Sequence, residues 1–317
     1  MAVKSRGVPV IVGPTASGKT AVSIRLAKIL GGEIISADSR QVYRYLDVGT
    51  AKPSPGEQVS VRHHFIDVID PDAEFNAGAF GEQGRIVVNG IFDRGSIPIV
   101  TGGSGLYIRS LVDGLFEGPG ADPEFRDALE ARLKRGDLQA LIEELRRVDP
   151  DSARRIDPTK PRRIVRALEV YHATGSPLSS LQSARPVEVN FTPYFYGLLW
   201  ERDALYARIN SRCEQIVNGG LLREAADLER RGFGRNLNAL NTVGYKEAFA
   251  CISGEITPEE MLVLFRRNTR RYAKRQMTWF RRDARIRWIE MTGGGEEGEV
   301  ADVIAREFRI ATGRGSD

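Results

Sequence analysis

The residues best suited to chemistry stand near the start of the chain: Gly13-Pro14-Thr15-Ala16-Ser17-Gly18-Lys19-Thr20. They read G-x-x-x-x-G-K-T, the spacing of a phosphate-binding loop. Gly13 and Gly18 let the backbone turn its N–H groups inward, where a side chain would collide with an anion. Lys19 brings a cation that a phosphate can share. The Thr20 hydroxyl suits a Mg²⁺ ion, which makes Thr20 the candidate metal ligand. Such a loop needs a strand before it and a helix after it. Val10, Ile11 and Val12 form a β-branched run, and Ala21 to Leu30 forms a helix that aims its positive end at the loop. That context favours a real phosphate site over an accidental glycine turn, and the site should hold a di- or triphosphate.

Two further strand ends converge on this loop. Glu33 to Ser36 is a short strand, and Asp38 follows just past its carboxyl end. In an open parallel α/β sheet, ligands bind outside those ends. Asp38 is therefore either a neighbour of the phosphate loop or the N-cap of a following helix. Ile97 to Thr101 is another strand, and it runs into the glycine-rich turn Gly102-Gly103-Ser104-Gly105. The fold class is thus α/β: a P-loop NTPase-like parallel sheet core flanked by helices. His64 to Ile69 and Tyr194 to Trp200 are expected to add strands, and Phe75 to Phe92 a helix. His63 and His64 would point to opposite faces of a strand, which argues against a shared metal.

The pattern changes near Glu117-Gly118-Pro119-Gly120. Strand character vanishes, and helices are expected over Asp122 to Arg135, Leu138 to Val148 and Lys160 to Thr174. Residues 118–189 read as an inserted all-helical domain, with 1–117 and 190–291 as the core and 292–317 as a linker and short helix. Arg162, Arg163 and Arg166 form a basic face, while Ile164, Val165 and Leu168 are its packing side. After the insertion, a helix from Asp203 carries Arg208 and Arg212 one turn apart. A last long helix runs from Glu259 to Phe280. From Arg266 to Arg287 the chain carries many arginines and lysines against one acid, Asp283, with Tyr272, Trp279, Phe280 and Trp288 interleaved. Basic residues mixed with aromatics suit a nucleic-acid backbone and an unstacked base.

Composition agrees with a globular chain. It has 317 residues, 41% hydrophobic and 28% charged, with a formal net charge of +4 and an isoelectric point near 9.1. Cys213 and Cys251 are far apart and show no metal-like spacing. A reducing compartment is expected. No apolar segment has the length of a signal or a membrane span, so a cytoplasmic protein is expected.

Several stretches resemble one family, the bacterial tRNA dimethylallyltransferases (tRNA isopentenyltransferases). They are residues 13–20, Ile-Ser-Ala-Asp-Ser-Arg-Gln-Val-Tyr (35–43), Asp-Val-Gly-Thr-Ala-Lys-Pro (47–53) and His-His-Phe-Ile-Asp (63–67). Further on come Arg-Ala-Leu-Glu-Val (166–170), Val-Gly-Tyr-Lys-Glu (243–247) and Tyr-Ala-Lys-Arg-Gln-Met-Thr-Trp-Phe (272–280). The resemblance implies transfer of a dimethylallyl group from dimethylallyl diphosphate to N6 of the adenosine 3′ of the tRNA anticodon. It implies Asp38 as general base, Arg212 on the diphosphate, Mg²⁺ as cofactor and a monomer acting on the anticodon stem-loop. Ser104 stands where the family usually has threonine, which keeps a hydroxyl but leaves its role less defined.

Positions matching tRNA contacts are Asp38, Ser39, Arg40, Gln41, Ser104, Arg126, Arg162, Arg163, Ile164, Val165 and Arg166. The match continues at Asn241, Thr242, Val243, Gly244, Tyr245, Lys246 and Glu247. It ends with Lys274, Arg275, Gln276, Met277, Thr278, Trp279, Phe280 and Arg281. Three rival readings stay open on residues alone: a phosphate-loop metabolite kinase, an enzyme that prenylates free AMP, and a non-catalytic RNA binder.

Overall fold

A computed structural model of the chain describes residues 6–114, 122–182, 188–293 and 297–314. The expected boundary at 117/118, the turn before it and residues 294–296 of the expected linker lie outside the described residues. Contacts divide the chain into two compact units, Met1–Val112 with Val189–Asp317, and Asp113–Glu188.

The first unit opens with β1 (Gly7–Val12), whose six residues are all buried. Such a run fits a parallel sheet covered on both faces. Helix α1 (Lys19–Leu30) follows, entered through Gly18 and closed by Gly31, both in the left-handed region. Next come β2 (Gly32–Ser36), α2 (Pro55–Ser60), β3 (His63–His64), α3 (Ala77–Asp93), β4 (Ile97–Gly102) and α4 (Gly105–Val112). A capping box between Ser54 and Glu57 starts α2. The Asn76 side chain accepts from the Ala79 N–H to start α3.

The second unit is all-helical: α5 (Pro123–Lys134), α6 (Leu138–Val148), α7 (Pro150–Arg155), α8 (Pro161–Thr174) and α9 (Leu178–Gln182). Its core joins Leu129, Leu141, Leu145, Ile164, Val165 and Leu168. Asp149 caps α7 through the Ser152 N–H and also accepts from Ser179, which ties α9 down.

The chain then returns to the first unit with β5 (Thr192–Trp200), α10 (Arg202–Asn218), α11 (Leu221–Arg230), α12 (Tyr245–Ile252) and α13 (Pro258–Phe280). It ends with β6 (Arg287–Met291) and α14 (Glu297–Ala311). The sheet order is β3-β2-β4-β1-β5-β6, and each neighbouring pair is parallel. All six carboxyl ends therefore lie along one edge.

One sequence expectation changes, and the structure adds three details. The strand expected over His64 to Ile69 stops at His64, because Phe65 (φ 64) and Asp67 (φ 55) turn into the left-handed region. Only an isolated bridge joins Tyr43 to Ile69. The turn after Gly103 is followed at once by a helix, α4. The stretch ending the basic run contributes a sheet strand, β6, in which Arg287 pairs with Glu307. The short C-terminal helix is part of the first unit: Val300, Ala301, Ile304, Ala305 and Phe308 are buried, and Arg309 donates to the Ile29 carbonyl of α1. Among the described residues, no helix is long and apolar enough to cross a membrane. Both cysteines are free thiols.

Candidate active site

The loop between β1 and α1 is fixed from outside through its carbonyls. The Lys19 ammonium takes the Pro14 carbonyl at 2.6 Å. Arg208 Nε donates to the Ala16 carbonyl at 2.9 Å, and the Trp200 indole N–H donates to the Ser17 carbonyl at 3.0 Å. The Arg208 guanidinium also lies 4.2 Å from the Trp200 ring centre. With the carbonyls held away, the N–H groups of Gly18, Lys19 and Thr20 at the start of α1 are oriented for an anion. Ala16 adopts φ 64, a left-handed turn within the loop.

The β2 and β4 ends are stitched together beside this loop. Ala37 N–H donates to the Thr101 carbonyl at 2.7 Å, and Ser104 N–H returns to the Ala37 carbonyl at 3.2 Å. A Cβ on Gly102 would stand 2.1 Å from that same carbonyl, so only glycine fits. The Ser39 N–H donates to Ser104 Oγ at 3.1 Å. Asp38 Oδ1 accepts the Arg40 N–H at 2.8 Å. Residues 39–42 form turns, not a helix, so Asp38 is no helix N-cap.

These strand ends open on a cavity of 1190 Å³ lined by Lys19, Thr20, Asp38, Thr101, Arg212 and Tyr272 among others. Its electrostatics follow from crowding charges away from water. The Lys19 pKa falls to about 7, first because burial strips its ammonium of water, then because Arg212 repels it; Asp38 opposes both. Burial also lowers the Arg212 pKa, and again the Asp38 carboxylate opposes the shift. Two cations and one carboxylate are thus close enough to feel one another across the cavity. The Tyr272 hydroxyl, bonded to Ser104, is pushed up to about 12 by burial and next by Asp38.

Among the described residues, no group of three or more His, Cys, Asp or Glu side chains is arranged for a metal. His64 instead holds Glu33 at 2.7 Å, and His63 faces the Val61 carbonyl. Ser17 Oγ in the loop and Thr101 Oγ1 at the end of β4 are buried hydroxyls with no hydrogen-bond partner. Both residues line the cavity, as does Thr20. This set fits a divalent cation that Thr20 would help to hold, its other ligands coming from phosphate oxygens and water.

The family description "IPP transferase" matches residues 41–283. The chain belongs to the IPP transferase family. A tRNA dimethylallyltransferase of Pelotomaculum thermopropionicum is 40% identical over 94% of this chain and 95% of its own length. The tRNA isopentenylpyrophosphate transferase structure from Bacillus halodurans shares 38% identity and a TM-score of 0.71, covering 98% of this chain and 99% of that one. A eukaryotic dimethylallyltransferase, captured acting on tRNA, shares 26% identity with a TM-score of 0.83 over 98% of this chain and 81% of its own.

Within this chain the residues expected at the RNA divide into two groups. Lys274, Arg275, Thr278, Trp279 and Arg281 are exposed along α13 and just past it. Arg40, whose guanidinium takes the Asn238 carbonyl at 2.6 Å, Asn241 and Lys246 also reach the surface. On the helical unit, Arg162 and Arg163 are exposed. Others are interior. Ile164 and Val165 belong to the helical core. Tyr245, Glu247, Gln276 and Phe280 are buried. Glu247 accepts the Gly244 N–H and the Asn268 amide, so it shapes the turn into α12. Arg126 and Arg166 both pair with Glu169, which is only 4% exposed.

The long basic run is also partly spent inside the protein. Arg266 pairs with Glu214, Arg270 bonds Asn210 and Arg285 pairs with Asp283. Three contributors had no distinguishing signal in the sequence. Arg208 and Trp200 act on loop carbonyls far away in the chain. Glu224 accepts the N–H groups of Asp47, Val48 and Gly49 together with the Tyr245 hydroxyl, all within 2.8 Å. That carboxylate pins the 47–53 loop, which forms one wall of the cavity.

Proposed function

We propose that this chain transfers the dimethylallyl group of dimethylallyl diphosphate to N6 of the adenosine 3′ of a tRNA anticodon, releasing diphosphate. The carrying observation is one cavity in which the Asp38 carboxylate, the Lys19 ammonium and the Arg212 guanidinium influence each other. The cations suit a diphosphate leaving group, and the carboxylate suits the proton that an amine nucleophile gives up.

The N6 lone pair attacks C1 of the allyl group. The C1–O bond breaks, and its electron pair leaves with the diphosphate. Lys19, Arg212 and the N–H groups at the start of α1 stabilise the charge that develops on the leaving oxygen, commonly the largest contribution in such sites. Mg²⁺ bound at Thr20 would add positive charge to the same oxygens. Asp38 accepts the N6 proton as the C–N bond forms. This matters because the N6 lone pair is delocalised into the ring and is a poor nucleophile. The Asp38–Arg40 hydrogen bond aims the carboxylate. Ser104 accepts the Ser39 N–H beside Asp38 and bonds Tyr272, which lines the cavity.

The adenosine must leave its stack to reach Asp38, at a cost of a few kcal/mol. The exposed cations of α13, with Trp279, supply backbone attraction and a stacking surface against that cost. The test is mass spectrometry of an unmodified tRNA incubated with the protein, dimethylallyl diphosphate and Mg²⁺. The expected product carries one added dimethylallyl group on the anticodon-loop adenosine. Prenylation of free AMP in a parallel reaction, or phosphate transfer from ATP to a small acceptor with no tRNA product, would replace this reading.

A further inference from the structure

Gln276 is among the positions matching tRNA contacts, but its side chain faces inward. The residue is 7% exposed. Its Oε1 accepts the Thr15 N–H at 2.9 Å, and its Nε2 donates to the Gly103 carbonyl at 3.0 Å. One amide thus bridges the phosphate loop to the strand-end turn that carries Ser104. The fit is close: a Cβ on Gly103 would come within 2.2 Å of Nε2.

The position of this bridge along the loop gives it a consequence. Pro14 has no N–H, so Thr15 carries the first backbone donor after Gly13 on the strand side of the loop. The donors at the opposite end belong to Gly18, Lys19 and Thr20, where α1 begins. A chain of phosphates lying in such a loop starts at the helix end and extends toward the strand side. A third phosphate reaching the strand side would meet the Thr15 N–H. That donor is already used, and the Gln276 amide, which itself lines the cavity, stands in front of it.

We infer that Gln276 is a specificity-determining residue that shortens the phosphate loop, so that it accepts a diphosphate ester and turns away a nucleoside triphosphate. The inference rests on the prenyl diphosphate reading above and adds the reason why a loop of nucleotide-binding spacing serves it. Asparagine would be too short to span both partners. Glutamate would place a second negative charge against the anion and lose the donor to Gly103.

Equilibrium binding of ATP and of dimethylallyl diphosphate, each with Mg²⁺, tests this on the full-length protein, with Gln276→Ala and Gly103→Ala beside wild type. Gly103→Ala displaces the same amide without altering it and guards against a folding defect peculiar to the first variant. Thermal unfolding checks both. Wild type should prefer the prenyl diphosphate. Both variants should bind ATP about tenfold more tightly than wild type, the size of one recovered charge-assisted hydrogen bond. Unchanged ATP affinity in two folded variants overturns the role of Gln276 and leaves the prenyl transfer reading standing. Wild-type protein that binds ATP but not dimethylallyl diphosphate overturns both.

Discussion

Replacing Asp38 by Asn isolates one proton. Asp38 Oδ1 accepts the Arg40 N–H at 2.8 Å, and an asparagine oxygen can take that same hydrogen bond. The turn at 38–40 should therefore survive, together with the Ser39–Ser104 contact beside it. What disappears is a negative charge and a proton acceptor. Loss of a positioned general base costs about 10²–10⁴ in rate. At about 1.36 kcal/mol per tenfold, that is about 2.7–5.4 kcal/mol of barrier. The charge change acts in the other direction on binding. Asp38 supports protonation of Lys19 but also repels an arriving diphosphate, so affinity for dimethylallyl diphosphate should hold or tighten. The assay is kcat with both substrates saturating, paired with equilibrium binding of tRNA and of the diphosphate. A kcat within about threefold of wild type, well short of the loss expected for a base, would refute the assignment. So would an unchanged kcat with a raised KM for tRNA, which would make Asp38 a binding residue only.

Three further outcomes follow from other parts of the structure. The folded Lys19 pKa of about 7 lies below its ordinary 10.5, so between those values the unfolded chain holds the extra proton and rising pH stabilises the empty protein. An arriving diphosphate recharges Lys19, so binding at pH 8 should take up a proton, seen by calorimetry in buffers of different ionisation heat, and Lys19→Met should abolish the uptake. Arg275→Ala should weaken tRNA binding and reduce its salt dependence by about one ion, since Arg275 is exposed on α13; an unchanged slope in filter binding would remove it from the interface. Glu224→Ala deprives three backbone N–H groups and the buried Tyr245 hydroxyl of their acceptor. It should cost about 1–3 kcal/mol, read as a lowered unfolding midpoint in urea.

The sequence by itself determined what is local. The glycine spacing at 13–20 prescribes a loop whose N–H groups face inward, because steric and dihedral limits act within a few residues. The apolar run before it reads as a buried strand. The strand ends at Ser36 and Thr101, read from periodicity and glycine, placed Asp38 and Ser104 on one edge. Motifs spread along the chain carried the family resemblance.

What tertiary structure decided is which partner each side chain meets. Periodicity gave α13 two faces, but only packing shows that Gln276 lies on the inner one, bonded to the phosphate loop, while Arg275 next to it faces outward. The same holds for Ile164 and Val165, which a family match assigns to RNA and burial assigns to a core. The strand expected over 64–69 failed because Phe65 and Asp67 adopt left-handed dihedrals that residue type does not announce. Arg208, Trp200 and Glu224 each act on backbone groups more than 170 positions away in the chain. Hydrogen bonds and ion pairs act over a few ångströms of space, and only the fold turns distance along the chain into such proximity.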